Sequence, residues 1–123
     1  MQMVILQDAI YKAQQVYFLA NNVYSNNFEE LDIHLPAGQI TDGTADGGAV
    51  QTWSSGKYTI VMSKSWSQGF FEDLSYVLAH DPKDTGGRQC RDYGNSNTNK
   101  GFCLSLGGKN PTKGGDGYMI YYL

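Results

Sequence analysis

The chain has 123 residues, which fits one compact domain. Nine lysines and arginines against twelve aspartates and glutamates give a net charge of −3, which argues against a protein that binds nucleic-acid phosphates through a basic surface. Only 17% of the residues are charged and 41% are hydrophobic, so the chain can bury enough apolar surface to fold. No apolar run approaches the roughly 20 residues that a membrane-spanning helix requires.

Residues 3–20 carry apolar side chains at helical spacing and predict a helix. Eight of them form one stripe, which we expect to pack on the domain's own sheet. A second row, Val4, Tyr11 and Phe18, recurs every seven residues roughly opposite the stripe. It is flanked by Gln7, Gln14 and Gln15. One domain face cannot bury both rows, so either the following loop folds back over the second row or that row meets other protein molecules. The stripe consists of Met3, Leu6, Ala9, Ile10, Ala13, Val16, Tyr17 and Ala20.

The helix is expected to end near residues 21–22, where two asparagines tolerate the left-handed conformation of helix C-termini. Its periodic pattern is already running at residue 3 without a capping residue, so we expect further sequence before it. After the helix, residues 28–31 predict a short helical hook with acids in its first turn. Residues 36–48 are rich in Gly, Thr and Asp and predict an exposed, flexible loop. Residues 23–48 are therefore expected to connect helix and sheet.

The β region is predicted from alternating side chains. Residues 57–63 and a segment around 70–79 predict antiparallel strands, with turns at 54–56 and 67–69. Residues 118–123 are apolar or aromatic on both faces and predict a covered last strand. The fold expected from the sequence is α+β, with a long N-terminal helix on a three- to four-stranded antiparallel sheet. Residues 49–89 would form the sheet and residues 90–123 a C-terminal region with the last strand.

The two cysteines, Cys90 and Cys103, enclose twelve polar, turn-rich residues. A disulfide between them is favoured over two free thiols, which indicates an oxidising compartment. The chain-entropy model gives such a crosslink a stabilisation of about 3 kcal/mol.

No set of residues predicts catalysis. His34 and His80 are the only histidines, the serines lack a GxSxG elbow, and the glycine pairs precede no phosphate-binding helix. We therefore expect a protein that is not an enzyme and has no cofactor. Calcium is a minor alternative without EF-hand spacing, since several loop aspartates could offer oxygen ligands. These aspartates are Asp42, Asp46, Asp81, Asp84 and Asp116.

Three segments together resemble the globular part of bacterial type IV pilins and pilin-like proteins, the pseudopilin superfamily. Residues 9–24 resemble the end of the family's helix, where paired aromatics precede Leu-Ala-Asn, a Gly or Asn, and a tyrosine. Residues 28–33 resemble its Phe-acid-acid-Leu hook. Cys90 and Cys103 resemble the C-terminal disulfide pair of many pilins, and residues 103–108 resemble a short helix that follows it in some members. The family's basic leader and Phe-Thr-Leu-Ile-Glu start are not in this sequence.

The resemblance implies a structural subunit of an extracellular type IV pilus-like filament. An apolar extension of the helix would anchor the subunit in the inner membrane and then pack in the filament core against copies of itself or related pilins. Val4, Tyr11 and Phe18 would contribute to the subunit interface. The loops at residues 36–48 and 90–103 would face outward.

Two alternatives stay open. One is a pseudopilin of a type II secretion system, which the resemblance also covers and which calcium-dependent stability would favour. The other is a small secreted binding module that uses tyrosines with Trp53 or Trp66 to hold carbohydrate or a protein.

Overall fold

A computed structural model describes residues 1–115 and 117–123 and shows, across them, one eight-stranded antiparallel sheet with a long helix on one face. A short helix packs beside the C-terminal strands. The strand order is β1-β2-β3-β4-β5-β6-β8-β7, so only β7 and β8 leave chain order. The elements are α1 Gln2–Asn21, a 3-10 helix Phe28–Glu30, β1 Gln39–Ala45, β2 Gly48–Ser54, β3 Thr59–Met62, β4 Trp66–Phe71, β5 Leu74–Ala79, β6 Arg88–Asp92, α2 Asn97–Ser105, β7 Lys109–Lys113 and β8 Met119–Tyr122.

The expected three- to four-stranded sheet is wrong, because several segments predicted as loop or turn are strands. Residues 36–48 contain β1 and the turn that joins it to β2, instead of a flexible loop. Asp46 and Gly47 have φ values of 51° and 78°, which suits the tight two-residue turn of a hairpin. The predicted turn at 67–69 lies inside β4, and the chain reverses instead at Glu72, with φ 52°. The C-terminal region adds β6 and β7.

The helix, the hook and the last strand are confirmed. Asn22 adopts the left-handed conformation at φ 60° and its N–H bonds to the Phe18 carbonyl, which ends α1. Asn27 caps the 3-10 helix by accepting a hydrogen bond from the Glu29 N–H. The predicted strands at 57–63 and 118–123 correspond to β3 and β8.

The main core lies between α1 and the inner sheet face, the face that carries Ile60, Met62 and Tyr76. Met3 and Ile10 reach it from α1 and are fully buried. Gly69 allows the close approach of α1 to β4, because a Cβ there would lie 2.6 Å from the Met3 sulfur. The helix therefore sits on the middle of the sheet at a position where β4 has no side chain.

The predicted disulfide is present and joins β6 to α2, with 5.5 Å between the Cα atoms of Cys90 and Cys103. The residues it encloses are more regular than expected, since α2 begins inside this stretch and Ser96 caps it by accepting from the Asn99 N–H at 3.0 Å. The short helix therefore begins before Cys103 and ends at Ser105, whereas the resemblance placed a short helix at residues 103–108. Buried Asp92 fixes the entry to α2 by accepting hydrogen bonds from the backbone of residues 94 and 96.

Candidate subunit interface on the first helix

Two glutamines set the rotation of α1 about its axis. Gln7 is fully buried, and its Nε2 donates to the Tyr76 carbonyl at 2.9 Å and to the Ser67 hydroxyl at 3.1 Å. Its Oε1 is buried without a hydrogen-bond partner among the described residues. Because Gln7 bonds to both β4 and β5, the helix face that carries it must lie against the sheet.

Gln14 makes the corresponding contact one heptad later, with the chain that follows α1. Its Nε2 donates to the Ser25 carbonyl at 2.7 Å, and its Oε1 accepts from the Ser25 N–H at 3.0 Å. Both residues are buried. The side-chain amide therefore satisfies two backbone groups of a turn that no strand pairs with.

The predicted core stripe is confirmed only in its first part. Leu6, Ile10 and Ala13 are buried, as is Met3, and Tyr17 is half-buried against the core. The rest of the stripe is half-buried at Ala9 and exposed at Val16 and Ala20. At 100° per residue, the buried face is rotated by roughly 70° from the predicted stripe, toward the glutamines.

This rotation covers part of the predicted interface row, whose role in a subunit contact stays a prediction. Val4 is only 8% exposed and belongs to the core. Phe18 is half-buried and stacks on Tyr24 with ring centroids 4.6 Å apart. Tyr11 is 39% exposed, beside a groove of about 410 Å³ that Arg88 also lines. The chain after α1 thus covers the end of the row, while Tyr11 alone stays open.

A different row of apolar residues faces solvent on α1, opposite the two glutamines. Ile5 is 61% exposed, Val16 62% and Leu19 86%. Val23, just after the helix, and Met1, just before it, are also exposed. At 100° per residue, Met1, Ile5, Val16 and Leu19 lie within about 30° of one line along the helix, on which exposed Lys12 also lies, between Ile5 and Val16. We call Ile5, Val16 and Leu19 the solvent stripe.

A groove of about 490 Å³ runs along one side of this stripe, between α1 and the chain after the hook. Ala9, Lys12, Ala13 and Val16 form its helical wall, and Asp32, Ile33 and His34 its other wall. The small side chains at 9 and 13 leave this depression open. The solvent stripe therefore presents protruding side chains next to a hollow that has both apolar and charged walls.

Residues of the hook hold this second wall against α1. The Ser25 hydroxyl donates to Glu30 Oε1 at 2.7 Å, and the Tyr17 hydroxyl donates to Glu30 Oε2 at 3.0 Å. These two hydrogen bonds lower the pKa of the Glu30 carboxyl. The network ties α1, the turn and the hook together on the exposed side of the helix.

The two histidines lie in separate environments. His34 is exposed, whereas His80 is buried beneath Tyr24, and its Nε2 donates to the Lys64 carbonyl at 2.7 Å. Burial lowers the pKa of the His80 imidazole, so the ring is neutral in the folded protein at neutral pH. This neutral ring packs as a core residue.

Two of the aspartates considered for calcium, Asp46 and Asp84, line one groove on the sheet. Asp42 accepts from the Gln51 amide, Asp81 and Asp84 accept backbone N–H groups two residues on, and Asp46 lies at the β1–β2 turn. Asp116 lies outside the described residues. Within residues 1–115 and 117–123, no three or more His, Cys, Asp or Glu side chains are grouped so as to hold a metal ion.

Sequence reasoning missed Ile5 and Leu19 as surface residues of α1. Their own signal was present, because Ile5, Val16, Leu19 and Val23 follow one another at 11, 3 and 4 residues, which is helical spacing. The predicted core stripe includes Val16, and without it the remaining exposed residues form no visible row. Gln7 and Gln14, which the sequence places beside the second row, lie at the centre of the buried face.

No helix among the described residues has the length and apolar character needed to cross a membrane. No protein-family model, curated protein or solved structure matches the chain. What the chain does is therefore inferred from its own residues and from the geometry of α1.

Proposed function

We propose that the chain is a non-catalytic structural subunit of an extracellular, type IV pilus-like filament, in which α1 packs against neighbouring copies through the solvent stripe. One observation carries this proposal. α1 buries one face on its own sheet and leaves Ile5, Val16 and Leu19 exposed along the opposite face. Exposed apolar residues along the outer side of a helix mark a surface that a second protein can cover.

Hydrophobic burial supplies the driving force for this packing. Complete burial of one Val, Leu or Ile side chain contributes about 1.5–3 kcal/mol. The stripe places three such residues on one line, and the groove beside Ala9 and Ala13 offers a recess for a neighbour's side chain. Packing of one copy's stripe into the next copy's groove is a heterologous contact, which builds an open helical assembly when the rotation between copies does not close a ring.

The remaining features of the proposal come from the family resemblance. An apolar extension of α1 holds the subunit in the inner membrane before assembly. The subunit then joins the filament at the cell surface, where an oxidising environment preserves the Cys90–Cys103 disulfide. Copies of this chain or related pilins are the partners.

The test is to place a charge on the stripe in the producing bacterium. Leu19→Glu and Val16→Glu are expected to abolish sheared surface filaments seen by electron microscopy, because a carboxylate cannot be buried in an apolar contact without a large penalty. Tyr122→Glu is the matched control, since Tyr122 is 43% exposed but lies on β8. It is expected to leave filaments intact.

Urea unfolding of the same variants as isolated chains separates assembly from folding. Val16 and Leu19 point into solvent, so both variants should unfold within about 0.5 kcal/mol of the parent chain. Normal filaments from Leu19→Glu and Val16→Glu would refute the proposal. Short filaments confined to the periplasm would identify a pseudopilin instead.

A further inference from the structure

The sheet face turned away from α1, the outer sheet face, carries a groove beside Trp66. Ser67 and Gly69 contact Gln7 of α1, so the alternating residues Trp66 and Gln68 point to the outer face. The register continues this row from Gln68 to Val77 and on to Gln89. The groove has a volume of about 270 Å³.

A second depression of about 420 Å³ adjoins the first and shares two of its residues, Asp46 and Trp66. Asp46 stands at the tip of the β1–β2 hairpin, and Lys64 lines the second depression. The two hollows thus meet at Asp46 and Trp66, and together we call them the cleft. Such a cleft matches a ligand longer than a single ring.

The polar side chains of the first groove are held in place by the protein itself. Arg91 donates from Nε and Nη2 to Gln89 Oε1 at 3.0 and 2.8 Å, and Gln89 Nε2 donates to the Gly86 carbonyl at 3.0 Å. Gln68 Nε2 donates to the Ser75 hydroxyl. Among the described residues, Arg91 Nη1 and Gln68 Oε1 make no hydrogen bond and are available to a ligand. Pre-organised groups of this kind reduce the entropic cost of binding.

The charges along the cleft balance. Asp46 and Asp84 supply two carboxylates, and Lys64 and Arg91 supply two cations. A phosphate or polyanion would gain little from such a wall, because each cation has a carboxylate on the same cleft. A neutral ligand that both donates and accepts hydrogen bonds suits these groups better.

From these observations we infer that the cleft at Trp66 binds a neutral oligosaccharide. A sugar ring offers a flat face of C–H groups to the electron-rich face of the indole, and its hydroxyls both donate and accept. Arg91 and Gln68 would take the hydroxyls of the ring that lies in the first groove. Trp53 cannot serve as a platform, because it is 1% exposed in the core.

The test uses the folded chain on an array of neutral oligosaccharides built from glucose, galactose, mannose and N-acetylhexosamines, followed by calorimetric titration of the best binder. Trp66→Ala is expected to weaken binding about tenfold, the equivalent of one aromatic contact. Phe70→Ala is the matched control, since Phe70 lies four residues beyond Trp66 on the same face of β4 and does not line the cleft. It is expected to leave the affinity unchanged.

A second variant guards against misfolding of Trp66→Ala. Gln68→Ala removes the side-chain amide assigned to the sugar hydroxyls, and it should weaken binding several-fold. Absence of any binder at millimolar concentration would overturn the inference. So would affinity that survives Trp66→Ala, or a preference for sialylated glycans or peptides.

The cleft and the solvent stripe lie on opposite sides of the sheet, so the two proposals stand or fall separately. Trp66→Ala should leave filaments intact, and Leu19→Glu should leave the sugar affinity of the isolated chain intact. Loss of filaments with Trp66→Ala in a stably folded chain would place the cleft in a subunit contact and would contradict the sugar site.

Discussion

Replacement of Gln14 by leucine tests whether buried amides, and not apolar side chains alone, hold α1 in place. In Gln14→Leu, the N–H and C=O of Ser25 lose their partner, and Ser25 is 2% exposed, so water cannot replace it. Each orphaned group costs about 1–3 kcal/mol. Burial of the leucine side chain offsets about 2 kcal/mol of that total. The expected net loss is about 2 kcal/mol.

Urea unfolding followed by the fluorescence of buried Trp53 measures this loss. A change of about 2 kcal/mol should also lower the melting temperature by roughly 5–10 °C for a chain of this size. The matched control is Gln2→Leu, an identical substitution at an exposed position in the first turn of α1, which should change stability by less than about 0.5 kcal/mol. If Gln14→Leu proves as stable as Gln2→Leu, the hydrogen bonds to Ser25 do not stabilise the fold.

Three further predictions concern the packing, the buried histidine and the crosslink. Gly69→Ala should destabilise the fold by about 1–3 kcal/mol, because the added Cβ would collide with α1. Gly101→Ala, in open space on α2, should stabilise the fold by about 0.5–1 kcal/mol. Equal effects of the two substitutions on the melting temperature would contradict this prediction. Since the folded-state pKa of His80 lies below its ordinary 6.5, the unfolded chain takes up the proton first as the pH falls. The free energy of unfolding should therefore decrease below about pH 6.5, and an unchanged pH slope in His80→Gln would refute the assignment. The double variant Cys90→Ser and Cys103→Ser should lose about 3 kcal/mol in urea unfolding, and reductant should lower the melting temperature of the parent chain alone.

Periodicity was enough to predict α1, because apolar residues at helical spacing and the asparagine at its end both act locally. It could not orient the helix. Gln7 and Gln14 are polar residues whose burial depends on backbone groups of Tyr76 and Ser25, far away in the chain or beyond the helix end. A pattern of hydrophobic residues contains no information about such partners.

The missed strands have a similar explanation. β1 is an edge strand with exposed side chains on both faces, so it lacks the apolar alternation from which strands are recognised. Its one local signal is the Asp46-Gly47 pair, which favours a two-residue hairpin turn. The Gly, Thr and Asp content of the segment predicts a loop when it is considered without that pair. The cleft at Trp66 was equally hidden, since it depends on side chains from the β1–β2 turn, β4, β5 and β6.

The strand order determines when the sheet can be completed during synthesis. β8 lies between β6 and β7, so β7 has no neighbour in the sheet until the later strand has arrived. The ribosome must therefore release β8 before β7 can join the sheet. Until then β6 is the edge strand of a six-stranded sheet. A chain truncated before Met119 would lose both β7 and β8 from the sheet. The unpaired edge of β6 would then be exposed and could pair with another chain, which leads to aggregation.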